Sequence, residues 1–220
     1  MVLIRIDSHD SRIIMKKRVA HIAIMLSLIG ACIVAFILGT LSGDSTSITP
    51  RPSQWATPLE REGLPNLHQV TPLLYRGGQP TAEGMRQLKA MGVKTVINLR
   101  SFNSDRDEIG DTGLAYEHIY MKAWHPERED IIRFLRIVTD KDCTPVFVHC
   151  QHGADRTGLM CAIYRVAVCD WTKEEAIREM TQGGFGHHTI WKNIIGFIED
   201  LDIDAIKKEA AIDTINKAIK

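Results

Sequence analysis

Pro145-Val146-Phe147-Val148-His149, followed at once by Cys150-Gln151-His152-Gly153-Ala154-Asp155-Arg156-Thr157-Gly158, is the stretch on which the fold turns. The first five residues are an unbroken apolar run closed by a histidine, the pattern of a strand buried on both faces. Thr157 to Val168 is largely apolar and reads as a helix. A short loop between strand and helix aims unpaired backbone N–H groups at one point, and the helix dipole adds positive charge there. Gly153 lets the backbone curl close to an anion. Arg156, six residues after Cys150, is placed to grip two oxygens of a tetrahedral anion with its planar fork. The same field favours a thiolate, so Cys150 is expected to ionise below the free-cysteine value of about 8.5. A thiolate beneath a bound phosphate is set for in-line attack on phosphorus.

Outward from this loop, short apolar strands alternate with helical stretches. Leu73-Leu74-Tyr75 reads as a strand closed by the turn Arg76-Gly77-Gly78-Gln79-Pro80. Thr81 to Met91 reads as a helix stopped by Gly92, and Val93 to Leu99 and Ala115 to Met121 read as strands. Glu127 to Thr139 is amphipathic, with Ile131, Phe134, Leu135 and Val138 facing inward. Thr172-Lys173-Glu174-Glu175 is a capping box opening a helix that ends at Gly183-Gly184, and the remainder looks helical. The order predicts an α/β domain, a central mixed, mostly parallel sheet flanked by helices.

The N-terminal residues differ. Arg12, Lys16, Lys17 and Arg18 precede an uncharged apolar run from Val19 to Leu41, long enough as a helix to cross a hydrocarbon core of about 30 Å. The expectation is an N-terminal transmembrane helix, retained as an anchor, with a minority reading of Ile29-Gly30-Ala31-Cys32 as a lipoprotein cleavage box. The positive-inside rule then places residues 1–18 in the cytoplasm and the catalytic domain outside it, periplasmic in a bacterium. Residues 42–69 read as a linker, 70–202 as the catalytic domain and 203–220 as a helical tail.

Lys+Arg and Asp+Glu both number 27, so no overall field recommends nucleic acid as a partner. The five cysteines form no CxxC pair and no His-rich spacing accompanies them, which argues against a structural zinc site. Cys143, Cys161 and Cys169 read as structural thiols, and Trp124, Trp171 and Trp191 as core.

His149-Cys150-x5-Arg156-Thr157-Gly158 resembles the signature loop of the cysteine-based protein tyrosine and dual-specificity phosphatases. The likeness extends to Leu74-Tyr75-Arg76-Gly77-Gly78-Gln79-Pro80 and Lys94-Thr95-Val96-Ile97-Asn98-Leu99-Arg100, which look like the compact atypical branch found in bacteria, fungi and plants. It covers roughly 66–201. The resemblance implies that Cys150 forms a phosphoenzyme, that Gln151, His152, Gly153, Ala154, Asp155, Arg156 and Thr157 cradle phosphate, and that no metal or other cofactor is needed. His149 is placed to orient the loop, and Thr157 to donate its hydroxyl to the sulfur when the phosphocysteine is hydrolysed.

The family's general acid, an Asp on a separate loop, has no counterpart straight after the strand, where the chain reads Met121-Lys122-Ala123-Trp124-His125-Pro126-Glu127-Arg128-Glu129-Asp130. Asp155, beside Arg156 as in the myotubularin-type lipid phosphatases, is the favoured donor, ahead of His125, Glu127 and Asp130. A carboxylate beside a phosphate dianion is repelled, so Asp155 must either stay protonated or turn outward; the alternative to a donor role is that it simply pairs with a neighbouring base. The expected function is a membrane-anchored phosphatase acting on phosphotyrosine or phosphoserine proteins, or on phospholipid head groups at the bilayer. The alternatives are a phosphate-recognition module without turnover, and a thiol-based sulfur or arsenate enzyme.

Overall fold

The computed structural model describes residues 51–122 and 124–212. Six strands form one sheet: β1 (Thr57–Pro58), β2 (His68–Thr71), β3 (Leu74–Gly77), β4 (Thr95–Asn98), β5 (Ala115–His118) and β6 (Val146–His149), in the order β1-β2-β3-β6-β4-β5. β1, β2 and β3 pair antiparallel, whereas β3, β6, β4 and β5 pair parallel. The sheet is therefore mixed and mostly parallel. β6 lies between β3 and β4, buried at all four positions, as its apolar run requires.

Helices cover both faces. They are α1 (Ala82–Ala90), α2 (Arg106–Ile109), α3 (Arg128–Thr139), α4 (Asp155–Val168), α5 (Lys173–Gln182), α6 (Lys192–Asp200) and α7 (Ile203–Glu209). Alternate residues of a strand point to opposite faces, and the two cores show this directly. Val146 and Val148 join Ile131, Phe134, Leu135, Leu159, Ile163 and Ile198 in one core. Phe147, between them, packs with Met85, Leu88, Val93, Val96 and Leu114 in the other. The inward face predicted for α3 is the one buried. Thr81 caps α1 through the Gly84 N–H, Gly92 follows it at φ +83°, and both halves of the Thr172–Glu175 capping box form. α4 is buried on nearly all sides, starting at Asp155 rather than Thr157.

The membrane part of the expected fold is corrected. Among the described residues no helix is long and apolar enough to cross a membrane. The longest helix described, α4, has 14 residues, against the roughly 20 that a span needs. The run 19–41 on which the transmembrane expectation fell lies outside the described residues. The membrane partner, the single-pass extracytoplasmic location and the phospholipid substrate all followed from that helix and are withdrawn with it.

The sheet and core also begin within the stretch read as linker. β1 lies there, and Trp55, Ala56, Leu64 and Leu67 are buried. Arg51 anchors the segment, donating to the carbonyls of Gly183 and Ala56. Glu179 accepts from the Ala56 N–H at 2.6 Å and is gripped by Arg165 through two bonds of 2.8 Å. Trp171 and Trp191 pack against the core as expected, but Trp124 is 61% exposed.

Candidate active site

Cys150 leaves the end of β6 and α4 begins five residues later, so the loop 150–154 is closed between a central strand and a buried helix. Gly153 adopts φ +73°, the left-handed region open to glycine. A side chain there would also meet backbone, since an added Cβ would sit 2.4 Å from the carbonyl carbon of Gly77. The Gln151 carbonyl accepts from the Gln79 N–H at 3.1 Å, and Ala154 is buried, its carbonyl accepting from Gly158 N–H at 2.8 Å. The turn 76–80 thus forms the wall on which the loop is shaped. Gln151 and His152 are exposed.

The Cys150 thiol is 3% exposed. Burial alone pushes its pKa up, but the Thr157 hydroxyl and N–H, the Arg156 charge and the Gly153 N–H outweigh burial, and the thiol lies below its ordinary value. The Thr157 hydroxyl is itself buried and has no nitrogen or oxygen partner among the described residues, which leaves it to the thiol. Arg156 is half-buried, and its Nη1 donates to the carbonyls of Leu99 at 3.2 Å and Met121 at 3.4 Å. Two fixed carbonyls hold one edge of the guanidinium and leave its remaining N–H groups for an anion.

Asp155, the favoured donor, is engaged by the segment after α5. Its carboxylate accepts from the His188 N–H at 2.9 Å and from His188 Nδ1 at 2.7 Å, and His187 Nδ1 lies 3.3 Å away without hydrogen-bond geometry. Among the open alternatives, the geometry is that of a carboxylate paired with a neighbouring base. His125, Glu127 and Asp130 all follow Met121, whose carbonyl meets Arg156; Lys122 and His125 form a one-bridge turn, and Asp130 lies in the first turn of α3. Burial, then Glu127 and Glu129, raise the Asp130 pKa, which favours its protonated form.

Two supporting residues carry no signal in the sequence. Asp105, 0% exposed, accepts from His149 Nε2 at 2.7 Å, Arg100 Nη2 at 2.6 Å and Gln79 Nε2 at 3.0 Å. His149 Nδ1 in turn meets the Cys150 carbonyl at 3.1 Å, so the loop is tied to β4, to the turn after β3 and to α2 through one carboxylate. Asn66, at φ +55°, donates its amide to the carbonyls of His152 and Phe185, each at 2.9 Å. Neither residue belongs to a local motif; only their fold neighbours reveal them.

Comparison with known proteins agrees with this geometry. The family profile described as "DSP-PTPase phosphatase fused to NAD+ Kinase" matches residues 61–193. The dual specificity protein phosphatase TpbA of Pseudomonas aeruginosa is 32% identical over 184 residues, covering 82% of each chain. A crystal structure of TpbA superposes with a TM-score of 0.66 at 30% identity, covering 73% of this chain and 99% of that one. The catalytic core of the PP-IP phosphatase SIW14 from S. cerevisiae shares the fold, with a TM-score of 0.60 at 22% identity over 69% of this chain and 95% of that one. A thiol made acidic inside a strand-to-helix loop, the family profile and the likeness to TpbA together place this chain in the cysteine-based dual-specificity phosphatase family, within its compact atypical branch related to bacterial TpbA, as a cysteine-dependent phosphoric monoester hydrolase.

Proposed function

We propose that the chain dephosphorylates proteins, phosphotyrosine first and phosphoserine second, through a phosphocysteine at Cys150. One observation carries the reading: a buried thiol is made more acidic than usual beside an arginine fixed by two main-chain carbonyls. The Cys150 thiolate attacks phosphorus as the bond to the tyrosyl oxygen breaks, and that oxygen leaves with its electron pair and takes a proton. Arg156 and the loop N–H groups hold the three equatorial oxygens, whose charge shifts during transfer. Water then attacks the phosphocysteine, releasing phosphate and regenerating the thiolate, with the Thr157 hydroxyl stabilising the departing sulfur. Asp155, bonded to His188, serves as a latch for the segment after α5. The proton donor is drawn from the segment 122–130.

Substrate class is argued from charge. The loop 150–156 contains no lysine and one aspartate, a poor match for a polyphosphorylated inositol and an adequate one for a single phosphate dianion. The likeness to TpbA, itself solved in complex with pTyr, supports the same class. The test is turnover of p-nitrophenyl phosphate and of a phosphotyrosine peptide by the full chain. Wild type should release phosphate, with Cys150→Ser silent and Arg156→Lys strongly impaired. A wild type that binds the peptide but never turns it over would instead be a recognition module.

A further inference from the structure

One buried charge takes no part in gripping phosphate. Arg76 on β3 is 1% exposed, and its Nη2 donates to the Gly153 carbonyl at 2.7 Å. Its guanidinium carbon lies 3.6 Å from the centre of the Phe185 ring, and its Nε has no hydrogen-bond partner among the described residues. A buried guanidinium stays charged and requires compensation. Among the described residues no carboxylate forms an ion pair with it. Glu179, the acid that acts on it, is already held by two bonds from Arg165 and one from the Ala56 N–H. Cys161 also acts on it, but burial pushes that thiol up to about 11, so it is neutral at ordinary pH. Cys150 acts on Arg76 as well, and the hydrogen bond from Nη2 to the Gly153 carbonyl places the guanidinium against the loop that carries that thiol.

We propose that Arg76 is a positioning residue of the phosphatase reaction: an interior guanidinium that fixes the Gly153 carbonyl and adds a second positive charge, beside that of Arg156, on the core side of the Cys150 loop. Arg156 meets the substrate; Arg76 does not. The two effects reinforce each other. Holding the Gly153 carbonyl fixes the peptide plane that follows the left-handed residue, and so the direction of the next loop N–H. The unshared positive charge then favours an anion in the loop, first thiolate and then phosphate. The Phe185 ring face orients the guanidinium without neutralising it.

This deepens the role given to Cys150 and rests on it. The test measures the pH dependence of Cys150 alkylation by iodoacetate, and orthovanadate affinity, in full-length wild type, Arg76→Met and Arg76→Lys, with folding followed by circular dichroism. Arg76→Met should raise the alkylation midpoint by about one pH unit and weaken vanadate about tenfold. Arg76→Lys, which keeps the charge but not the fork, should hold the midpoint near wild type and still lose vanadate affinity. A folded Met variant with an unshifted midpoint and unchanged vanadate affinity overturns the proposal. If the Met variant does not fold, unchanged vanadate affinity in the Lys variant overturns it. An ordinary midpoint in the wild type would be a different failure, that of Cys150 itself.

Discussion

His149 Nε2 meets Asp105 Oδ2 at 2.7 Å, with both side chains fully buried, and this bond ties the residue before the nucleophile to the start of a helix 44 residues upstream. Burial pushes the Asp105 carboxyl up, but the His149 hydrogen bond and charge, the Gln79 amide and the Arg100 charge outweigh it and hold the carboxyl below its ordinary range. Asp105→Ala removes the acceptor and leaves Arg100 and His149 without their shared partner. It should destabilise the fold by about 3–5 kcal/mol, as read by urea denaturation. The pH sign follows from the depressed folded-state value. The ionised carboxylate contributes stability that is complete above its unfolded pKa of about 4 and is lost as pH falls through the lower folded value. Wild type should therefore lose stability below about pH 4 more steeply than Asp105→Asn. Parallel acid-unfolding curves for the two would remove this role from Asp105.

Cys150 titrates below an ordinary thiol, and the consequence is selectivity within one molecule. Iodoacetate should modify Cys150 with a midpoint below about 8.5, and inorganic phosphate should protect it. Cys161, pushed up to about 11 by burial, should stay unmodified at pH 7 in the folded chain. Peptide mapping after limited alkylation separates the two sites. Cys150→Ser should lower kcat on the order of 10³-fold or more. Because the thiolate is the form favoured on folding, its contribution to stability is complete above the unfolded value and fades as pH falls through the folded one.

Gly153→Ala tests the shape of the loop. The position needs φ +73°, and the new Cβ would lie 2.5 Å from the Gly77 oxygen and 2.7 Å from the Gly78 nitrogen. Backbone on both sides cannot give way as a flexible side chain does. The left-handed conformation alone costs about 1–2 kcal/mol, and the overlap adds about 1–3 more. A fall in Tm of ten degrees or more, with phosphate protection lost, is the expected result. Wild-type stability in this variant would mean that the loop is not braced against the turn 76–80.

The catalytic loop was legible because its parts are contiguous. An apolar strand, a glycine, an arginine and a helix start occupy fourteen consecutive residues. The α3 face and the Thr172 capping box were legible for the same reason. Asp105 and Asn66 were not, because they act across 44 and 86 residues of chain and neither carries a local pattern; Arg76 stood within a quoted block, but its bond to Gly153, 77 residues on, was not legible there. Residues 51–69 read as linker because their strands are short and their burial depends on Gly183, Glu179 and Arg165 from elsewhere. The transmembrane expectation came from apolar length alone, and no helix among the described residues has that character. The partner of Asp155 was not legible either: adjacency to Arg156 in sequence does not decide what a carboxylate faces, and here it is His188, 33 residues on.

Asp155 supplies the last prediction, through the two bonds it accepts from His188 at 2.9 and 2.7 Å. A carboxylate at the first residue of a helix, satisfied by a neighbouring loop, is a structural tie, worth about 1–2 kcal/mol. Asp155→Asn should therefore lower stability by about that much and lower kcat/KM less than about tenfold. A proton donor behaves otherwise: its loss hurts esters with poor leaving groups far more than p-nitrophenyl phosphate and removes the alkaline limb of the kcat profile. Asp155→Asn should show neither signature, with phenyl phosphate and p-nitrophenyl phosphate slowed in equal proportion. Among His125→Ala, Glu127→Gln and Asp130→Asn, one should show both, and Asp130 is the carboxyl whose pKa burial, Glu127 and Glu129 already raise. Selective loss on phenyl phosphate in Asp155→Asn alone would return the donor to Asp155 and require the His188 contact to open during turnover.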